Sequence, residues 1–202
     1  MPPTIRQFTQ SDRTPAQELM AEAVGEDFTD LDDIDAACSF VAVDGRDMAG
    51  IVTAIVRTAS EALPEATLAG SPAPHAVTGP EGPARPASGD RVLHIRALAV
   101  SATRRRAGIA SRLLGRAEDA GRAGGASLAV VYAWLPFGQS EPASVPLYES
   151  AGYRTLADLP GFYASLSEET GATCPYCGDP PCRCSARIMT KSLGPGRETG
   201  RS

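Results

Sequence analysis

The sequence has a single lysine, Lys191, and only two histidines, so nearly all of its positive charge comes from arginine. Alanine, glycine and proline are abundant, which together with the arginine indicates a GC-rich coding bias rather than a phosphate-binding surface. The net charge is −5 and the pI about 5.1. This acidic balance argues against nucleic acid as a partner.

Long apolar runs are also missing. No stretch approaches the ~20 consecutive apolar residues that cross a bilayer, and residues 1–6 lack the basic and then apolar pattern of a secretory signal. With 202 residues, 43% of them hydrophobic, the chain can bury one full core. We therefore expect one domain over residues 1–193, a disordered tail over residues 194–202, no membrane association and a cytoplasmic location.

Hydrophobic periodicity and turn residues predict alternating strands and helices. The predicted strands are residues 4–8, 39–43, 48–57, 91–100, 128–135, 154–156 and 186–193. The predicted helices are residues 14–24, 31–37, 108–123 and 144–151. Thr14 is the expected N-cap of the first helix, with Pro15 in its first turn, and Asp44-Gly45 predicts a tight hairpin turn. This order predicts an α/β (α+β) domain with one mixed sheet.

One segment departs from this pattern. Residues 61–90 are rich in proline, glycine and alanine and show no hydrophobic periodicity. Such a composition buries too little surface to offset the entropy of ordering. We expect a mobile loop.

Four of the five cysteines are clustered near the end of the chain, at Cys174, Cys177, Cys182 and Cys184. In a reducing compartment such a cluster indicates a metal rather than disulfides. Cys-x-x-Cys-Gly is typical of a zinc knuckle, and the following Cys-x-Cys would complete a four-thiolate Zn²⁺ site in an insertion over residues 167–185. The spacing is tight, so free or oxidised thiols and an iron–sulfur cluster remain alternatives.

A candidate phosphate site follows the fourth predicted strand. The turn Arg105-Arg106-Ala107 leads into a helix that begins at Gly108, and the first amides of a helix have no internal partner. These amides and the helix dipole suit a pyrophosphate, which small residues at Gly108 and Ala110 would allow to approach. A capped helix with a solvated first turn is the alternative.

Two motifs in this half of the chain resemble the GNAT superfamily of N-acetyltransferases. The first is Leu98-Ala99-Val100 followed by Arg105-Arg106-Ala107-Gly108-Ile109-Ala110, which is similar to the family's [RQ]-x-x-G-x-[GA] acetyl-CoA loop. The second is Leu147-Tyr148-Glu149-Ser150-Ala151-Gly152-Tyr153, which is similar to the family's LYE-x-x-G-[FY] helix. The resemblance implies a mostly antiparallel central sheet flanked by helices. It also implies transfer of an acetyl group from acetyl-CoA to a primary amine by direct attack.

The resemblance also assigns the coenzyme contacts. The backbone of Leu98, Ala99 and Val100 would hold the pantetheine arm, with Tyr132 and Ala133 near the thioester where the fourth and fifth strands splay apart. Arg105 would stand at the first position of the motif. The pyrophosphate would lie on the turn and the first helical residues: Arg105, Arg106, Ala107, Gly108, Ile109, Ala110 and Ser111.

Two residues are the catalytic candidates. Tyr148 matches the family's tyrosine acid, which protonates the leaving thiolate; the alternative is a packing aromatic. His94 lies six residues before Val100, so strand alternation would put both on one face. An imidazole there could serve as the base; the alternative is a structural histidine.

The acceptor is defined only weakly. Between Thr14 and Gly45 there are nine acidic residues and no Lys or Arg, which would favour a cationic amine if these helices line the acceptor site. A solvated acidic helix pair is the plainer interpretation. A coenzyme-binding sensor without turnover and a zinc-knuckle interaction module are the alternative functions, and a homodimer stays open.

Overall fold

Runs rich in valine, isoleucine and alanine form the strands, and the alanine- and leucine-rich stretch after Gly108 forms the longest described helix. This computed structural model describes residues 2–24, 34–45, 47–68 and 83–194. The strands are β1 (Thr4–Gln7), β2 (Phe40–Asp44), β3 (Asp47–Thr58), β4 (Arg91–Val100), β5 (Leu128–Leu135), β6 (Arg154–Leu159) and β7 (Ser185–Ser192). The helices are α1 (Arg13–Val24), α2 (Ala59–Ala62), α3 (Glu65–Leu68), α4 (Ile109–Ala123), α5 (Val145–Ser150) and α6 (Ala164–Thr170).

The seven strands form one sheet in the order β1-β2-β3-β4-β5-β7-β6. Neighbouring strands are antiparallel everywhere except between β4 and β5, which run parallel. A parallel pair needs a crossover connection, which α4 supplies. The predicted mixed, mostly antiparallel sheet flanked by helices is confirmed.

The helices cover both faces of the sheet. α4 and α5 pack on one face, in a cluster with Leu93 and Ala133; we call this the α4 face. α1 and α2 pack on the opposite face, the α1 face. Within the described residues, no helix is both long enough and apolar enough to cross a membrane.

α4 packs through the positions that its periodicity predicted. Ile109, Leu113, Leu114 and Ala117 are buried, at 2% exposure or less. Gly121 lets the helix approach β4 closely, because a Cβ atom there would lie 2.8 Å from a methyl carbon of Leu93. The helix ends at Gly124, as the sequence predicted.

The predicted start of the first helix is wrong. α1 begins at Arg13 after a 3₁₀ turn, Gln10–Asp12, rather than behind an N-cap at Thr14. The Asp12 carboxylate accepts hydrogen bonds from the Thr9 N–H and hydroxyl, each at 2.8 Å, and Arg6 holds it from the other side at 2.6 Å. Helical winding therefore begins upstream of the Thr-Pro signal.

The second predicted helix, residues 31–37, is not found in its described part. Residues 31–33 lie outside the described residues, and Ala36–Cys38 form a turn. The Asp35 carboxylate accepts the Ala37 N–H at 2.9 Å, and the Asp35 carbonyl accepts the Cys38 N–H at 3.1 Å. A local side-chain acceptor here competes with helix formation.

The irregular segments are more ordered than the sequence predicted. Residues 69–82 of the expected loop lie outside the described residues, but α2 and α3 form before them. Residues 83–90 after them are tied to the fold, for example by the Thr190 hydroxyl donating to Ala84 O at 2.8 Å. α6 was not predicted at all. The tail expected to be disordered lies outside the described residues beyond Gly194.

Candidate active site

The strands β4 and β5 separate halfway along their length. They are paired only over Val92–Ile95 and Leu128–Val131, although β4 runs on to Val100 and β5 to Leu135. Over those further residues β4 stays paired with β3, and β5 with β7. The second half of each strand therefore borders an opening in the sheet, and Tyr132 and Ala133 are the first residues of β5 to do so. The predicted splay is present.

A β-bulge in β4 changes which side chains face which side. Thr53 pairs with Ala97 but Ala54 pairs with Ile95, so Arg96 is an extra residue. Ile95 before the bulge and Leu98 after it therefore both pack on the α4 face. His94 and Val100 lie on opposite faces, so the prediction that they share one is wrong. Simple alternation fails wherever a residue is inserted.

His94 lies on the α1 face beside the opening. Its ring centroid is 5.4 Å from that of Tyr132, and its Nδ1 atom is buried without a hydrogen-bond partner. Burial, together with the positive charges of Arg57 and Arg96, lowers the pKa of His94 to about 4. The imidazole is therefore neutral at pH 7.

Tyr148 lies on the other side of the sheet. It is on α5 and only 5% exposed, within the cluster on the α4 face that includes Leu98 and Ala133, which border the opening. Its ring meets that of Tyr153 edge to face at 5.5 Å. Burial raises the pKa of Tyr148 above its ordinary value, so its phenol is protonated at neutral pH. The two catalytic candidates thus lie on opposite sides of the opening.

The turn between β4 and α4 has the geometry of an anion site. Arg106 and Gly108 both have left-handed backbone, with φ of +66° and +71°, and residues 102–108 are all exposed. The Arg105 side chain is anchored through Nε to Val100 O at 3.3 Å. The first α4 hydrogen bond runs from Arg112 N to Gly108 O, which leaves the amides of Ile109–Ser111 to a ligand. These residues fit a pyrophosphate.

The four clustered thiols converge on one point. Their sulfur atoms all lie within 4.8 Å of one another, with Sγ–Sγ distances of 3.6 Å for Cys174–Cys184, 3.5 Å for Cys177–Cys184 and 4.0 Å for Cys177–Cys182. Four sulfurs placed at ~2.3 Å around a tetrahedral Zn²⁺ would be ~3.8 Å apart. No disulfide joins these cysteines.

Backbone groups surround these sulfurs. Cys174 and Gly178 exchange two backbone hydrogen bonds of 2.9 and 2.8 Å, which closes the knuckle turn. The amides of Arg183 and Phe137 donate to Cys177 Sγ and Cys184 Sγ, each at 3.3 Å. The Phe137 contact links the cysteine cluster to the segment that follows β5.

Helix α6 also supports the cysteine cluster. The buried Ser167 hydroxyl accepts the Cys182 N–H at 2.8 Å and donates to Ala164 O at 2.8 Å. Tyr163, the N-cap residue of α6, packs against the cysteines, as does Trp134 of β5. The cluster is therefore packed against the end of β5 and the start of β7 rather than attached by a flexible linker.

The predicted acidic wall falls mostly outside the described residues. Five of its nine acidic residues lie in 25–33, outside them. Asp44 pairs with Arg104 at 2.7 Å, and Asp35 is used in its local turn.

Sequence reasoning missed the aromatic side chains that accompany the opening. Eight of the eleven aromatic residues fall between Tyr132 and Tyr176, a concentration that could have indicated a binding surface in a chain with 5% aromatics. The structure places five of them along one path from the opening to the cysteine cluster, and the amide of a sixth, Phe137, donates to Cys184 Sγ.

The sequence profile of the acetyltransferase (GNAT) family matches residues 5–153, a range that contains the opening, the phosphate-type turn and α5. The chain belongs to this family. As a GNAT protein it is an acyltransferase, and the expected family is confirmed. A search of curated protein sequences gives no match.

Solved GNAT structures share the fold. The ribosomal-protein-S18-alanine N-acetyltransferase of Escherichia coli superposes with a TM-score of 0.56 at 14% identity, over 98% of this chain and 99% of that one. Naa20 of Chaetomium thermophilum, in complex with a bisubstrate analogue, gives 0.57 at 17% identity, over 98% and 92%. An aminoglycoside 6′-N-acetyltransferase complexed with coenzyme A gives 0.58 at 14% identity, over 95% and 98%. At these identities the likeness concerns the fold.

Proposed function

We propose that this GNAT protein transfers the acetyl group of acetyl-CoA to a primary amine by direct attack. The observation that carries the proposal is the opening between β4 and β5. It has an anion-binding turn at the end of β4 and a buried, protonated tyrosine on one side. Solved relatives of this fold hold coenzyme A or a bisubstrate analogue, which supports the coenzyme assignment.

The coenzyme contacts follow from the geometry of β4 and α4. The edge of β4 that turns towards β5 is unpaired beyond Ile95, so the backbone of Leu98–Val100 can hydrogen-bond an extended pantetheine arm as a strand would. The amides of Arg106–Ser111 hold the pyrophosphate, and Arg105 adds positive charge beside it. Acetyl-CoA itself supplies the thioester carbonyl that the amine attacks.

We assign Tyr148 as the acid. A thiolate leaves when the amide forms, and a protonated phenol close to that sulfur can supply its proton. Burial keeps Tyr148 protonated and excludes water from its surroundings. The alternative, a packing aromatic, is tested by removing the hydroxyl alone.

We assign His94 as the group that accepts a proton from the attacking amine. Its imidazole is neutral at pH 7 and stands on the side of the opening away from Tyr148, where an acceptor can enter without crossing α5. The low pKa keeps the imidazole unprotonated, so a ring nitrogen has a free lone pair to accept the proton. The alternative is a purely structural histidine.

We further propose that Cys174, Cys177, Cys182 and Cys184 bind one structural Zn²⁺. The sulfur spacing and the amides directed at the sulfurs support this proposal, and four thiolates leave no open coordination position for catalysis. We also propose the cytoplasm as the compartment, since its reducing conditions keep the thiols available.

The proposed function is tested by thiol release. The protein is incubated with acetyl-CoA and a broad amine panel, free CoA is measured with a thiol reagent, and products are identified by mass spectrometry. Amine-dependent release with a mass gain of one acetyl group supports the proposal. Tight coenzyme binding without release for any amine would instead indicate the sensor. If deleting residues 167–185 abolishes binding of a protein partner but leaves turnover unchanged, the insertion is an interaction module.

A further inference from the structure

A path of aromatic side chains leads from the opening to the cysteine cluster. Tyr132, beside His94, stacks against Phe162 at 5.2 Å, and Phe162 meets Tyr163 at 5.1 Å. Tyr163 and Trp134 pack on the cysteines, and Trp134 meets Tyr176 edge to face at 5.2 Å. We call these five residues, together with Phe137 two residues beyond the end of β5, the aromatic surface: Tyr132, Trp134, Phe137, Phe162, Tyr163 and Tyr176.

Half of the residues of this surface are exposed to solvent. The described residues contain four exposed large hydrophobic side chains. Three belong to the aromatic surface, Phe137 at 48%, Phe162 at 39% and Tyr176 at 55% exposure, and the fourth is the neighbouring Leu166 at 47%. Concentrated apolar exposure of this kind marks a binding site more often than chance.

The aromatic surface lies on the acceptor side of the opening. Along β5, Val131 and Ala133 pack on the α4 face with Tyr148, while Val130 and Tyr132 belong to the α1 face. Trp134 follows the same alternation as Tyr132. With the coenzyme sulfur beside Tyr148, an attacking amine reaches the carbonyl from the α1 face. The rest of the acceptor molecule then lies against these rings.

Arginine side chains lie at both ends of this surface. Arg57 and Arg96 act on His94, and the Arg183 guanidinium lies 4.0 Å from the centroid of the Phe137 ring. These arginines disfavour a polyamine or a multiply charged aminoglycoside at this surface. Aromatic faces and edges favour planar rings, and one ammonium group can still be accommodated on a ring face before it loses its proton.

We propose that the acceptor is a small monoamine carried on an aromatic body, an arylalkylamine, with its ring on the aromatic surface and its nitrogen at the opening. This proposal rests on the proposed acetyl transfer. In the reaction the amine nitrogen forms a bond to the acetyl carbon and the C–S bond breaks. One proton leaves the nitrogen and one joins the thiolate, giving an N-acetyl amide and free CoA.

The single tryptophan makes binding measurable without turnover. Trp134 is the only tryptophan in the chain and lies within the aromatic surface, so fluorescence excited near 295 nm reports on this site. The protein is titrated with 2-phenylethylamine, with 2-cyclohexylethylamine as the non-aromatic match, and with spermidine as the polycation. We expect saturable changes with 2-phenylethylamine at a Kd at least about 10-fold below those of both others.

Two variants test the surface and one serves as control. Phe162→Ser and Tyr176→Ser should each raise the Kd and KM for 2-phenylethylamine about 10-fold while leaving the Kd for coenzyme A unchanged. Leu166→Ser removes a similarly exposed apolar side chain that makes none of the ring contacts, and should alter neither. Unchanged coenzyme binding shows that a variant is folded.

The outcomes separate the two proposals. Tighter binding or faster acetylation of spermidine, of 2-cyclohexylethylamine or of a peptide amine overturns the aromatic acceptor and leaves acetyl transfer standing. No thiol release with any amine overturns acetyl transfer. In that case the aromatic-amine site is still supported if 2-phenylethylamine binds saturably and Phe162→Ser weakens this binding. An unchanged Trp134 fluorescence on addition of 2-phenylethylamine contradicts the aromatic-amine site.

Discussion

Two neighbouring tyrosines give the chemistry a matched control. Tyr148 and Tyr153 meet edge to face, both are buried, and burial raises both pKa values. Only Tyr148 lies on the helix beside the opening. The buried Tyr153 hydroxyl is directed at Glu118, and burial together with this carboxylate raises its pKa.

We predict that Tyr148→Phe lowers kcat about 10- to 1000-fold, the effect of losing one proton-transfer group. The Kd for acetyl-CoA should stay within about 2-fold, because the ring remains in place. Tyr153→Phe should retain wild-type kcat. Steady-state thiol release checks both variants, and wild-type turnover in Tyr148→Phe would remove this residue as the acid.

The lowered pKa of His94 predicts that the free energy of unfolding depends on pH. Its pKa is about 4 in the folded protein and about 6.5 in the unfolded chain, so between these values the unfolded chain binds more protons. The free energy of unfolding therefore falls as the pH drops from 6.5 to 4, by at most about 1.4 kcal/mol per pH unit from this residue. Urea denaturation of wild type and His94→Gln at pH 7 and pH 5 should show a smaller loss in the variant. Equal losses would contradict the lowered pKa.

At the scale of elements, the phosphate-type turn depends on left-handed backbone. Gly108 has φ of +71° and open space around a Cβ, so Gly108→Ala adds strain of about 1–2 kcal/mol. It also places a methyl group where the phosphates approach. We predict a loss of coenzyme affinity of about 10-fold or more by isothermal titration calorimetry.

Gly171 is the matched control for this strain. It also has left-handed backbone, with φ of +70° and nothing near a Cβ, but lies at the end of α6. Gly171→Ala should lower the free energy of unfolding by a similar amount without changing coenzyme affinity. Equal affinity losses in both variants would mean that strain alone, and not the anion site, explains the effect.

The elements also show what sequence could predict. β4 and β5 were predicted residue for residue, because stretches rich in β-branched and apolar residues between turn residues define strands. The Arg96 bulge was not predicted, because it depends on pairing with β3 and leaves no mark in local composition. The faces of His94 and Val100 were consequently wrong. α6 was missed because seven polar-rich residues carry no clear period, and their helix is tied down by Ser167 against a cysteine that lies fifteen residues further on.

At the scale of the whole molecule, the cysteine cluster lies at one end of the pairing between β5 and β7. Cys184 directly precedes β7, whose first residues pair with the last of β5, as Ser185 does with Leu135. Trp134 packs on the cysteines from the β5 side. The insertion has few other apolar contacts, so the free energy of the proposed metal binding would become free energy of folding for this region.

We therefore predict about one equivalent of zinc in freshly reduced protein, measured by inductively coupled plasma mass spectrometry. Removing it with a chelator should lower Tm by about 5 °C or more and change Trp134 fluorescence, while coenzyme binding at the distant α4 turn persists. Cys177→Ser should lose the metal and reproduce the lower Tm. Cys38→Ser, a buried cysteine outside the cluster, should keep the full equivalent. Metal content well below one equivalent in the wild type, or a Tm indifferent to the chelator, would contradict a structural zinc and leave four thiols held together by packing alone.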